Sequence, residues 1–190
     1  LDGAEQEKSN LTVAKTLIDF AAAKSAINCE VLFMKVIYTT GSEELLDELQ
    51  PFWEMLTAHH QEKSVYFKQH FAAVQYADRK ARFLKKTVSG KLRVEFAKNA
   101  DSGEVAGYCV SSIDDDKIGD VESLYIKPEY RRQGIGEQLM HNALNWLDEQ
   151  GSIKKTLSVA YGNEQVFDFY AKFGFYPRKT ELEQLRGGSL

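Results

Sequence analysis

A chain of 190 residues with 43% hydrophobic and 27% charged side chains has the make-up of a soluble globular protein with one well-buried core, which excludes a disordered or fibrous protein. Its net charge of -4 argues against nucleic acid as the main partner, because phosphate-backbone binding depends on a strongly basic surface. No apolar run approaches the roughly 20 residues that cross a bilayer, and the acidic, polar start is no signal-peptide lead, so no membrane partner is expected and a cytoplasmic address follows.

Residues 1–33 read as an appendage with one amphipathic helix, since Leu11, Ala14, Ile18 and Ala21 recur at helical spacing behind a capping Asn10. The extension is open to three readings: a natural addition, a partner-docking helix, or sequence from expression. A β-branched and aromatic strand follows at residues 34–38, where Met34 marks the start of a catalytic-sized domain, residues 34–190. Ser42 then predicts a helix start, with Glu43 and Glu44 in the first turn and Leu45, Leu46 and Leu49 on the buried face. Pro51, lacking an N–H, should kink or break that helix before Phe52 and Trp53. A second helical stretch is expected over residues 63–76.

Residues 78–86 carry Arg79, Lys80, Arg82, Lys85 and Lys86 and read as a solvated helix end and loop, with an anionic partner as the alternative. From Lys91 the period changes to alternation: residues 92–96, the turn signal at 99–103 and residues 105–113 predict a β-hairpin. The run Asp114-Asp115-Asp116 lacks the spacing of a calcium loop and reads as a solvated turn before a strand over 121–126. Cys29 and Cys109 show no metal spacing and are taken as reduced and structural, and no metal site is expected.

Leu139, Met140, Ala143, Leu144 and Leu147 mark one face of a helix that Gly151 can end. Leu157, Val159 and Tyr161 alternate as a strand. Val166, Phe169, Tyr170 and Phe173 share a helical face closed by Gly174, and a last strand is expected near residues 178–182 before a flexible end at 186–189.

The stretch most informative about chemistry runs strand, loop, helix and contains Arg131, Arg132, Gln133, Gly134, Ile135 and Gly136. Glycines at a loop that opens a helix let several backbone N–H groups converge on one anion, beside the positive end of the helix dipole. A Walker loop needs Gly-Lys-Ser/Thr, which is missing, and a dinucleotide fingerprint needs a third glycine where Leu139 stands. The six residues match Arg/Gln-x-x-Gly-x-Gly/Ala, and the chain here resembles the GNAT superfamily of acyl-CoA-dependent N-acyltransferases. A second block, Asn163 followed by Phe169-Tyr170-Ala171-Lys172-Phe173-Gly174-Phe175, is similar to that family's downstream Asn…Phe-Tyr-x-Lys-x-Gly-Phe. The resemblance covers about residues 34–182 and is strongest over 121–175.

The resemblance implies an α/β (α+β) fold with a mixed, mainly antiparallel sheet flanked by helices, beside the extra N-terminal helix. It also implies acetyl-CoA as co-substrate. A bulged strand would splay from its neighbour and offer backbone groups of Leu124, Tyr125 and Ile126 to the pantetheine arm. Amides of Arg132 through Glu137 would hold the pyrophosphate, Arg131 or Arg132 would add charge, and Asn163 would meet the cofactor arm. Tyr170 is the general acid that this implies for the departing thiolate, against the reading of a core aromatic. Glu122 is the candidate base, against an exposed strand residue or ordered water. Attack would be direct, with an oxyanion held by the Leu124 N–H and no role for Cys109 as nucleophile. His59 and His60 read as surface histidines, with the shaping of an acceptor pocket as the alternative. The expected reaction is acetyl transfer to a primary amine, small-molecule or peptide; the competing reading is a non-catalytic acyl-CoA-binding or sensing module. The acceptor and the oligomeric state, a homodimer included, stay open.

Overall fold

The structure, a computed structural model, describes residues 34–184; the expected N-terminal helix, Cys29 and the 186–189 end lie outside the described residues. Five strands follow one another in space as in sequence: β1 (Val36–Gly41), β2 (Gly90–Asn99), β3 (Val105–Asp114), β4 (Ile118–Ile126) and β5 (Lys154–Leu157). The first four pair antiparallel and β5 joins β4 in parallel, so the sheet is mixed and mainly antiparallel.

Local chemistry sets the hairpins. The Asn99 side chain accepts from the amides of Asp101 and Ser102 at 2.8 and 3.2 Å, the side-chain turn that asparagine favours. The Asp114 carboxylate accepts from the Ile118 amide at 2.8 Å, so the aspartate run serves as a turn that carries Lys117 at φ 61°.

Helices cover both faces of the sheet. On one, α1 (Leu46–Lys63), α2 (Lys68–Ala73) and α3 (Tyr76–Val88) set Leu46, Leu49, Trp53, Tyr76 and Phe83 against Leu92, Val94, Phe96, Tyr108 and Val110. On the other, α4 (Ile135–Glu149) buries Ile135, Leu139, Met140, Ala143 and Leu147. It lies so close that a Cβ on Gly119 would come within 2.8 Å of the Leu147 side chain. With helices on both sides, β3 is buried from Val105 to Ile113. Leu139 is fully buried, and Leu139→Ala should therefore lower stability by about 2–5 kcal/mol in chemical denaturation. A smaller loss would mean that α4 packs loosely on the sheet.

Six expectations change. Pro51 stays inside α1: it removes one N–H on the exposed side, where water can take the unpaired carbonyl, while burial of Leu46, Leu49 and Trp53 holds the helix together. The stretch 63–76 holds only the short α2 and the start of α3. The basic run 78–86 is a full helix, α3, and not a helix end with a loop. The strand expected through Tyr161 stops at Leu157, and residues 178–182 form no strand; Leu182 is 91% exposed. The Ser42 hydroxyl makes no cap bond; instead its amide donates to the Glu44 carboxylate at 2.8 Å.

Candidate active site

Pairing between β4 and β5 stops at Val121↔Leu157, and beyond it the two strands part. Opposite β3, Ser111 pairs with Val121 and Val110 with Ser123, so Glu122 is the extra residue of a β-bulge. The bulge and the parting coincide, and the opening they leave is a cleft of about 730 Å³. Orientation along β4 follows from its period of two. The Lys127 amide donates to the Ala106 carbonyl, so Tyr125 also turns its backbone toward β3. Leu124 and Ile126 then direct theirs to the open edge, where the Ile126 carbonyl accepts from Arg131 Nε at 3.0 Å.

The loop into α4 forms the next wall. Gly134, the residue before the helix, sits at φ 78° with no side chain to cap the first turn, which leaves N–H groups of that turn to be met from outside. Arg132 also takes a positive φ, 61°. Arg131, Arg132, Gly134, Gly136 and Glu137 all line the cleft. Ile135 does not; it is buried in the core. Gln133 faces away and donates to the Glu129 carbonyl. Arg131 lies over the Tyr125 ring at 5.9 Å, and both Arg131 and Arg132 are exposed.

The second sequence block packs on the first. After β5 a 3-10 turn (Glu164–Val166) leads into α5 (Phe167–Ala171). A Cβ on Gly136 would lie 3.6 Å from Phe169 Cζ, the Glu137 carboxylate pairs with Lys172, and His141 meets Phe173 edge-on at 5.1 Å. Asn163 and Tyr170 both line the cleft. The Tyr170 ring packs against Phe169 at 5.2 Å. Burial, and then the Cys109 thiol, push its phenol up to about 12. Cys109 itself is buried, and burial pushes its thiol up to about 12. Such a thiol suits packing better than nucleophilic attack.

Opposite stands a polar wall from the helical face. Glu122 lines the cleft, with three partners on its carboxylate: Ser112 Oγ at 2.8 Å, Lys86 Nζ at 3.1 Å and Arg79 Nη2 at 3.2 Å. Arg79 also donates to the Glu122 carbonyl at 2.8 Å, so one guanidinium clamps both the backbone and the side chain of the bulged residue. Asp120 stands on the same network without reaching the cleft; burial, then the charge of Glu122, raise its carboxyl to about 6.

His59 and His60 line the cleft with Leu56 and are not the surface histidines expected. The C-terminal end of α1 reaches them there because Gly162, at φ 92°, lets the loop after β5 come against it. A Cβ at that position would fall 2.6 Å from the Lys63 carbonyl. Burial, then His59, bring His60 down to about 4. Arg79 and Lys86, the partners of Glu122, were hidden in the basic run; the available signal was their i, i+7 spacing on one face of a helix.

Comparison with known proteins comes to the same region. The model of the acetyltransferase (GNAT) family matches residues 43–175. A Bacillus subtilis protein provisionally named a ribosomal protein bS18-alanine N-acetyltransferase is 36% identical over 76 residues, 40% of this chain and 49% of that one. The chain thus spans about half the length of the curated relatives it matches. Among solved structures, a GCN5-related N-acetyltransferase from Ralstonia eutropha JMP134 superposes with TM-score 0.63 at 17% identity, over 80% of this chain and 100% of that one. The aminoglycoside N-acetyltransferase AAC(6')-Iy in complex with CoA gives 0.58 at 14%, over 80% and 96%. These likenesses concern the fold.

Proposed function

The chain belongs to the acetyltransferase (GNAT) family, and from that premise we propose that it passes acetyl from acetyl-CoA directly to a primary amine while both are bound. One observation carries the reading: an uncapped helix N-terminus and an unpaired strand edge meet in a single cleft. Amides of residues 132–137 take the pyrophosphate, where aligned N–H groups and the helix dipole favour negative charge. Arg132 adds a cation. The pantetheine amides pair with the open backbone groups of Leu124 and Ile126, continuing the sheet, and Asn163 meets the arm from the other bank.

That register brings the thioester carbonyl beside the Leu124 N–H, which stabilises the oxyanion as the amine attacks. Tyr170 stands at the sulfur and donates to it as the C–S bond breaks. The amine must first lose a proton, on the wall formed by Glu122, His59 and His60. No acyl-enzyme forms. The test is calorimetry with CoA, followed by incubation with acetyl-CoA and a panel of amines, read by mass spectrometry. Binding together with the mass gain of one acetyl group on an amine is the expected result. No binding of CoA, or binding without transfer to any amine, would overturn it.

A further inference from the structure

The wall opposite Tyr170 offers three bases, and their surroundings separate them. Glu122 is held by two cations and a hydroxyl, and neutralising it with a proton would weaken the clamp that holds the bulge. His60 packs on Phe71 at 5.5 Å and at about 4 is too weak a base. His59 is half-buried and lines the cleft. The charged and titratable groups around it come from each bank: Arg131 from the loop before α4, and Glu62, Lys63 and His60 from α1 itself. Asn163, on the loop after β5, lines the same cleft.

Given the acyl-transfer reading above, on which this rests, we infer that His59 is the catalytic base that takes the proton of the attacking amine. Burial, then Arg131, then Lys63 lower its pKa, against Asn163 and Glu62, which favours the neutral ring, the form that can take a proton. The steps balance. His59 takes one proton from the ammonium and releases it to solvent, and the freed lone pair forms the C–N bond. As the C–S bond breaks, the thiolate gains its proton through Tyr170, which recovers one from the nitrogen of the new amide. The products are the N-acetylated amine, CoA and one solvent proton.

The experiment compares wild type, His59→Gln, His59→Ala and Glu122→Gln. The probes are the amines that wild type acetylates in the panel above. The expected result has three parts. His59→Gln lowers kcat/KM about 100-fold and loses the acid limb of the pH profile. Added imidazole restores activity to His59→Ala, and Glu122→Gln lowers the rate but keeps that limb. Calorimetric CoA binding equal to wild type shows that the His59 variants are folded. A His59→Gln enzyme that keeps both rate and limb would remove His59 from the reaction. A wild type that binds no CoA, or that acetylates no amine, fails earlier, at the acyl-transfer reading itself.

Discussion

Tyr170→Phe is expected to lower kcat about 100-fold, the low end of what a positioned acid contributes, with CoA affinity changed less than about twofold. The substitution removes one oxygen and keeps the ring that packs on Phe169 at 5.2 Å, so the wall keeps its shape. The neutral thiol of CoA needs little from the hydroxyl in the ground state; the charge that needs it develops only as the C–S bond breaks, which places the loss in kcat. A phenol raised to about 12 stays protonated across the working range. It would lose its proton, and the enzyme its acid, only as pH rises through about 12. Wild type should therefore show no alkaline fall with a midpoint near pH 9 that vanishes in Tyr170→Phe. Unchanged turnover in the variant, with the amine that wild type accepts, would leave Tyr170 an aromatic of the wall and no acid.

How far the sequence carried depended on whether a residue's role is local. The strands β2 to β4 were legible because Leu92, Val94 and Phe96 alternate, and because Asn99 and Gly103 make a turn by their own chemistry. Helix α4 was legible at both ends, since Gly134 and Gly151 supply the left-handed residues at φ 78° and 79°. The two signature blocks were legible as words, and the packing of Phe169 on Gly136 and of Lys172 on Glu137 makes them one wall.

Roles that depend on distant partners were not legible. Nothing near Glu122 announces a cation 43 residues away at Arg79. The polar and apolar residues of α1 are mixed, so its periodicity does not tell which face looks at the cleft, and His59 and His60 passed for surface residues. Pro51 carried a strong local rule that burial of its neighbours overrode.

Gly134→Val is expected to weaken CoA binding about 100-fold, the worth of one or two charge-assisted hydrogen bonds. The glycine is required by its backbone: at φ 78° a Cβ meets nothing within 4 Å, so the protein itself leaves room for a side chain. A β-branched residue there is strained by about 1–3 kcal/mol and would turn the 132–137 amides away from a common anion. Its methyl groups would enter space on the cleft side of the loop. Stability would fall as well, and by itself that fall says nothing about phosphate. Gly151 separates the two effects. It ends the same helix at φ 79°, again with nothing within 4 Å of a Cβ, and it does not line the cleft. Gly151→Val should therefore lose about the same 1–3 kcal/mol in denaturation and bind CoA as wild type does in calorimetry. If both variants lost CoA equally, the helix as a whole would be responsible and the anion cradle at residue 134 would have no separate existence. A large loss in Gly134→Val alone assigns the phosphate to the amides of that turn.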